Sequence, residues 1–178
     1  GANGFVGEKL VNSLIEKGVG VRRCMRDLKP EFTDPETVFV SGDINESTDW
    51  GKALSGVSAI VHTAARVDVM DERSSDPLTE FRRINVLATV NLARQAAEAG
   101  VERFIYLSSV KVNGETSKLG NALKASDPPG PVGPYAISKS EAEIELFKLS
   151  TETSLEVVII RPPLVYGPGV KANFSLLI

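Results

Sequence analysis

Five short apolar runs alternate with stretches of helical periodicity, and this alternation constrains the fold more than any other feature of the chain. The runs are Val19 to Met25, Val38 to Val40, Ala59 to Ala65, Phe104 to Leu107 and Leu155 to Ile160. Helical spacing is read in Val6, Leu10, Val11, Leu14 and Ile15, then in a short piece from Thr48 to Leu54, then from Leu78 to Ala99. It returns after Tyr135 in Ala142, Ile144, Leu146, Phe147 and Leu149. The order is helix, strand, strand, helix, strand, helix, strand, helix, strand. Apolar strands alternating with helices predict an α/β fold with a doubly wound parallel sheet. Such sheets bind ligands at the carboxyl ends of their strands. Gly1 to Gly7, Arg26, Asp43, Thr63 to Ala65, Ser109 and the segment after Arg161 all fall at those ends.

The segments between strands carry further expectations. Lys29 to Thr37, Arg66 to Pro77 and Val110 to Gly133 read as loops. On the helix from Leu78 to Ala99, Phe81, Ile84, Leu87, Val90 and Leu92 are expected on or near the buried face. Asn85 lies among them and needs partners if buried. Gly100 caps that helix. Trp50 reads as core. His62 is the single histidine; with apolar neighbours it reads as a packed core histidine rather than a catalyst. Cys24 is the single cysteine, a small buried side chain in a predicted strand, and it excludes an internal disulfide.

Gly1, Gly4 and Gly7 open the first helix as Gly-x-x-Gly-x-x-Gly. A glycine turn brings backbone N–H groups close to a pyrophosphate, and a helix N-terminus favours its charge. A plain glycine-rich turn fits the same spacing, which differs from the Gly-x-Gly-x-x-Gly of the usual dinucleotide fingerprint. Arg26 ends the first strand, where a dinucleotide fold holds the adenosine ribose. An arginine there accommodates a 2′-phosphate, whereas an acidic residue binds the 2′-hydroxyl. Arg22 could serve instead, Asp27 could take the hydroxyl, and the group could equally be a solvated charge cluster.

Tyr135 and Lys139 are four residues apart on a predicted helix, so they share one face. Pro134 stands at the helix start, where its missing N–H costs nothing. A free tyrosine has a pKa of about 10 and is a poor base at neutral pH. A cation beside it favours the phenolate. A tyrosine tuned this way takes a proton from an alcohol, or returns one to a carbonyl, while hydride moves at the same carbon. By itself the pair also describes any surface helix bearing a Tyr and a Lys.

Size and charge exclude other classes. A chain of 178 residues is long enough for one domain with a core. A net charge of −3, with both signs interspersed, argues against a nucleic-acid stripe or a basic membrane patch. No apolar run approaches the roughly 18 residues of a membrane span. No signal peptide is recognised, and no Cys/His cluster has metal-ligand spacing. The expectation is a soluble, cytoplasmic protein with no metal. The chain opens on its glycine motif with no preceding strand and ends on Leu176-Leu177-Ile178, so it reads as a fragment of a longer protein.

Taken in order, Gly1-x-x-Gly4-x-x-Gly7, Gly42-Asp43-Ile44, His62-Thr63-Ala64-Ala65, Asn85, Leu107-Ser108-Ser109, Tyr135-x-x-x-Lys139 and Arg161-Pro162-Pro163-Leu164-Val165-Tyr166-Gly167-Pro168 span nearly the whole chain. They resemble an extended short-chain dehydrogenase/reductase of the nucleotide-sugar epimerase/dehydratase group. The resemblance implies a Rossmann-type domain over residues 1–170, lacking its first strand, and the start of a substrate-binding part at 171–178. It implies that Gly1, Asn3, Gly4, Phe5, Val6 and Gly7 cradle the pyrophosphate and that Asp43 and Ile44 hold the adenine. Thr63, Ala64 and Ala65 would pack on the cofactor, with Asn85, Leu107 and Ser108 supporting that region. Ser109, favoured over Ser108 by its distance from Gly114, would hydrogen-bond the reacting sugar oxygen. Tyr135 would be the acid/base, and Lys139 would bind the nicotinamide ribose and lower the tyrosine pKa. Pro162, Pro163, Leu164 and Val165 would line the nicotinamide side. The implied partners are a nucleotide sugar, NADP(H) in preference to NAD(H), and a second copy of the chain packed through the long helices near Asn85 and Tyr135.

Two departures bear on the reaction. Val110 and Lys111 stand where the group's 4,6-dehydratases carry an Asp-Glu pair that expels water, so dehydration is not expected. Asn113 stands where many members carry an aromatic residue. The first reading is an NADPH-dependent reductase of a 4-keto nucleotide sugar, motivated by Arg26 and by the run from Arg161 to Phe174, which resembles bacterial reductases of surface-polysaccharide sugars. The second is a 4-epimerase, which needs the same Ser, Tyr and Lys. The third is a non-catalytic dinucleotide-binding protein.

Overall fold

The computed structural model describes residues 1–32, 34, 36–67, 76–117 and 119–170. The proposed second part at 171–178 lies outside the described residues. Helix α1 (Phe5–Glu16) starts at Gly4 and is closed by Gly18, whose φ of 74° is open to glycine at no steric cost. The bonds Gly18 N to Ile15 O and Val19 N to Leu14 O satisfy the last carbonyls.

Every expected strand is present and parallel, but the strands form two sheets. Strand β1 (Arg23–Met25) pairs with β2 (Val38–Val40), Cys24 opposite Phe39. The first strand was expected from Val19. Val19 instead closes α1, and a partner of three residues limits the ladder. In the second sheet β4 (Arg103–Leu107) lies between β3 (Ala59–His62) and β5 (Glu156–Ile160), with Phe104 between Ile60 and Val157. The sheet is thus interrupted between β1 and β3. That turn is bonded to both sides: Ala2 N donates to Cys24 O at 3.2 Å, and Gly1 O accepts from Thr63 Oγ1 at 3.1 Å.

Helix α2 (Gly51–Leu54) is shorter than the expected Thr48 to Leu54. Side chains of Asn45, Thr48 and Asp49 bond nearby backbone N–H groups and hold Asn45 to Trp50 in turns. Trp50 itself is buried in the core with Leu54, Leu92, Phe104 and Leu146.

The long helix begins one residue early. Pro77 takes a first-turn position after Asp76, whose carboxylate accepts from Thr79 N. It comprises α3 (Pro77–Arg82), a π-helical turn (Arg83–Ala88) and α4 (Thr89–Glu98). Phe81 and Leu92 are buried as expected, but Leu87 is 49 % exposed. Leu87 lies six residues after Phe81, far round a helix that turns roughly 100° per residue. The buried positions include Asn85, Val86, Ala88 and Thr89, and the wide turn points Asn85 inward. Helix α5 (Gly133–Glu152) follows the long loop and packs on α3, the π turn and α4.

Candidate active site

Helix α5 carries the centre of the site. Tyr135, Lys139 and Glu143 follow one another at four-residue spacing on it. Lys139 is 1 % exposed. Its Nζ donates to Leu107 O at 2.7 Å, at the carboxyl end of β4, and lies 4.0 Å from the centroid of the Tyr106 ring. Burial pushes the Lys139 ammonium down to about 7, partly opposed by the Glu143 carboxylate. Tyr135 is half-buried, one helical turn earlier, with its ring edge-on to Phe81 at 6.0 Å. The chain therefore brings a tyrosine and a desolvated lysine to one rim, as expected from the spacing.

The two serines after β4 differ sharply. Ser108 is buried and its hydroxyl donates to Glu143 Oε1, while its backbone N donates to Ile160 O at 2.7 Å. Ser109 is half-buried and extended, and its Oγ caps the short 3-10 turn Val110–Val112 by accepting from Lys111 N at 3.2 Å. Ser109 is the one left at the rim beside Tyr135's helix; Ser108 is committed to the interior.

Asn85 ties the β3 exit to α5. Its side chain accepts from Arg66 N at 2.9 Å and donates to Arg66 O and Ser138 Oγ, each at 3.0 Å. Ser138 in turn donates to Tyr135 O at 2.7 Å. Thr63, Ala64 and Ala65 thus run from the glycine turn, held by Thr63, to the π turn, held by Asn85. Single π turns inside α-helices are frequent at functional sites.

The glycine turn packs closely against its own neighbours. A Cβ on Gly1 would lie 2.5 Å from Ala64 N, and one on Gly7 would lie 2.0 Å from Gly1 O. Only glycine lets these backbones approach. Gly4 caps α1 without a side-chain bond, so first-turn N–H groups face outward with the positive end of the helix dipole. The segment after β5 closes the rim: Val110 N donates to Pro162 O at 3.0 Å, and a Cβ on Gly167 would lie 3.8 Å from the Phe5 ring. Leu164 and Val165 are exposed there, and Pro163 beside them.

Beyond the ends of β1 and β2, Arg26 Nε and Asp43 Oδ1 form an exposed ion pair of 2.9 Å. Ile44, next to it, packs on the core. Arg22 is removed as a candidate: its guanidinium donates to Glu36 O, Ala53 O and Ser55 O at 3.1, 2.9 and 2.7 Å, capping α2. His62 is a core residue, its Nε2 3.0 Å from Thr89 Oγ1 and its ring stacked on Tyr106. Burial, with the Lys139 charge, pushes it down to about 3, so it stays neutral. Burial pushes the Cys24 thiol up, the state of an inert packed cysteine.

Sequence reasoning missed the network behind the rim. Arg161 Nη2 lies 2.5 Å from Glu143 Oε2, and its Nη1 donates to Asn113 Oδ1 at 3.2 Å and Ala125 O at 3.3 Å. Asn113 Nδ2 donates to Lys124 O and Asp127 O, each at 3.3 Å. The signal available was the spacing of Glu143, one turn beyond Lys139.

A parallel α/β sheet with a glycine turn, a small-residue strand end and a Tyr-Lys helix on one rim defines a dinucleotide-binding domain of the short-chain dehydrogenase/reductase type. The chain belongs to the NAD dependent epimerase/dehydratase family, whose model matches residues 1–176. It is 48% identical over 178 residues to a UDP-glucose 4-epimerase of Vibrio cholerae, covering 99% of this chain and 54% of that protein. It is 32% identical over 186 residues to a 3-beta-hydroxysteroid dehydrogenase of Mycolicibacterium neoaurum, covering 98% and 48%. Among solved structures, MoeE5 in complex with UDP-glucuronic acid and NAD superposes with a TM-score of 0.81 at 30% identity, covering 97% of this chain and 56% of that one. The chain spans about half the length of the curated relatives it matches. Among the described residues, no helix is long and apolar enough to cross a membrane.

Proposed function

We propose that the protein containing this chain is a cytoplasmic NAD(P)-dependent enzyme acting at C4 of a nucleotide-activated sugar, and that the reaction supported best is 4-epimerisation of a UDP-hexose. The observation that carries the chemistry is Lys139, buried against Leu107 O one turn below Tyr135. The substrate class is carried over from the UDP-glucose 4-epimerase relative and from MoeE5 with its UDP-sugars. Reduction of a 4-keto sugar stood first on sequence alone; the 48% identity gives epimerisation at least equal support.

On this reading Tyr135 takes the proton of the C4 hydroxyl, and Ser109 donates a hydrogen bond to the same oxygen. The Lys139 charge holds the phenolate form of Tyr135 ready. A bound nicotinamide would provide the hydride chemistry, accepting the C4 hydride as the proton leaves and giving it back to the ketone. Tyr135 then returns the proton after the ketone has turned its other face. Gly1 to Gly7 and the α1 N-terminus hold the pyrophosphate, and Thr63 to Ala65 and Pro162 to Val165 flank the ring. Val110 at the dehydratase acid position has no proton to give, which disfavours loss of water.

The second reading, an NADPH-dependent 4-ketoreductase, is favoured by Arg26. Its guanidinium already holds Asp43, so a 2′-phosphate must compete with that carboxylate. The test is the cofactor. The intact protein is denatured to release bound nucleotide, and its empty form is titrated with NADH and NADPH. Retained NAD supports the epimerase, which recycles its hydride. An empty protein that prefers NADPH at least tenfold supports the reductase, and Arg26→Ala then removes the preference. A protein that binds neither cofactor refutes both.

A further inference from the structure

We propose that Glu143 is a positioning residue of this reaction, acting through Lys139 on one side and through Ser108 on the other, with Arg161 holding it in place. The inference rests on the functional reading above for Tyr135 and Ser109.

Glu143 is 3 % exposed, and its carboxylate bonds Ser108 at the β4 exit and Arg161 behind the rim. Oε1 accepts from Ser108 Oγ and, at 3.0 Å, from Arg161 Nε. Oε2 accepts from Arg161 Nε at 3.2 Å and Nη2 at 2.5 Å. Helix α5 thus grips the exit of β4 twice in succession: Lys139 holds Leu107 O, and Glu143 holds the Ser108 hydroxyl. The next residue is Ser109. Fixing Leu107 and Ser108 to the helix that carries Tyr135 sets the separation between Ser109 and Tyr135.

Arg161 extends the grip to the remaining pieces of the site. It leaves β5 directly before Pro162 to Val165, and its other bonds reach Asn113 and Ala125 in the long loop. Asn113, the departure from the family's aromatic residue, supplies the acceptor that makes this bond possible. One ion pair therefore registers the β4 exit, the β5 exit, Asn113 and Ala125 against α5.

The charge of Glu143 has a second effect. Lys139 has Tyr135 and Glu143 one turn away on either side on α5, Tyr106 on β4 and neutral His62 on β3, while Arg161 at the β5 exit is bonded to Glu143. Glu143 is the carboxylate among them, so it opposes the deprotonation that burial favours at Lys139. A protonated Lys139 keeps the Tyr135 phenolate accessible. An amide in place of Glu143 would keep the hydrogen bond to Ser108 but lose this effect.

The test is made on the intact protein with two variants. The ionisation of Tyr135 is followed by ultraviolet difference absorption, assigned by subtracting Tyr135→Phe; it needs no substrate, so it is independent of whether the protein acts on a nucleotide sugar. In Glu143→Gln the Tyr135 midpoint should rise by about one pH unit, because Lys139 loses the carboxylate that keeps it a cation beside the phenolate. The pH profile of kcat should rise with it, and kcat at neutral pH should fall roughly tenfold with KM nearly unchanged. Ser108→Ala keeps the charge and loses only the grip on β4: kcat should fall severalfold with the Tyr135 midpoint unmoved. A Glu143→Gln midpoint equal to or below wild type overturns the proposal. If Glu143→Gln does not fold, Ser108→Ala decides: unchanged kcat overturns the positioning role. Absence of any sugar conversion by wild type, with the midpoint still shifted in Glu143→Gln, refutes the functional reading and leaves the Glu143–Lys139 coupling standing.

Discussion

Lys139 gives up its water to reach Leu107 O, and that exchange has a thermodynamic signature. Its pKa is lowered from the usual 10.5 to about 7 in the folded chain. Between those values the unfolded chain binds a proton that the folded chain lacks, so stability rises with pH in that window. The penalty is fully present below about pH 7 and eases by on the order of 3 kcal/mol by about pH 9. Chemical denaturation of the cofactor-free intact protein should show the gap between wild type and Lys139→Met narrowing or reversing in favour of wild type from pH 7 to 9. A pH-independent gap would mean that Lys139 is solvated. His62 works in another window. Its folded pKa of about 3, below the usual 6.5, makes stability fall as pH drops from 6.5 toward 3. Both groups have a lowered pKa for the same cause, burial, yet only Lys139 meets the rim. That distinction was legible for His62, whose apolar neighbours marked it as core. It was not legible for the two serines, which are identical in type and adjacent. Their separation comes from Glu143, thirty-five residues away from Ser108.

At the scale of elements, the glycine turn and α1 form one device. Gly7 is helical, so alanine there should favour the helix by about 1 kcal/mol on propensity alone. The added Cβ would nevertheless stand 2.0 Å from Gly1 O, a backbone atom that also accepts from Thr63 Oγ1. Gly4 offers a milder case, with a Cβ 3.3 Å from the same oxygen. The expected order for dinucleotide affinity, measured by titration calorimetry, is wild type, then Gly4→Ala, then Gly7→Ala with a loss of at least tenfold. Equal affinities would show that the turn does not cradle the pyrophosphate. Element order was legible throughout, because burial imposes a period on each segment. Element ends were less so. The first strand shortened because Val19 serves the α1 C-terminus, and α2 shortened because Asn45, Thr48 and Asp49 bond their own backbone. The π turn was hidden because its cause is tertiary: Asn85 turns inward to reach Arg66 and Ser138.

For the whole molecule, the rim is assembled by bonds between distant segments: Gly1 with Thr63, Asn85 with Arg66 and Ser138, Val110 with Pro162, and Phe5 beside Gly167. The opposite consequence of this inward commitment is an outer helical face left with apolar side chains. Leu87 on the π turn and Ile144 and Phe147 on α5 are each about half exposed or more. Ile144 and Phe147 are three apart, hence neighbours on the helix surface. A groove of about 370 Å³ lies between the π turn and α5, walled by Val86, Leu87, Thr79 and the bidentate pair of Arg82 with Glu141. An apolar stripe edged by charge suits an isologous contact between two copies, in which each α5 meets its symmetry mate. The intact protein should therefore sediment as a dimer, the partner expected from the resemblance. Leu87→Glu with Phe147→Glu should convert it to a monomer, because two charges per copy would be buried without partners across the two-fold axis. Dinucleotide binding should survive, since both side chains are about half exposed. A wild-type monomer, or a doubly substituted protein that remains dimeric, would assign this face to solvent.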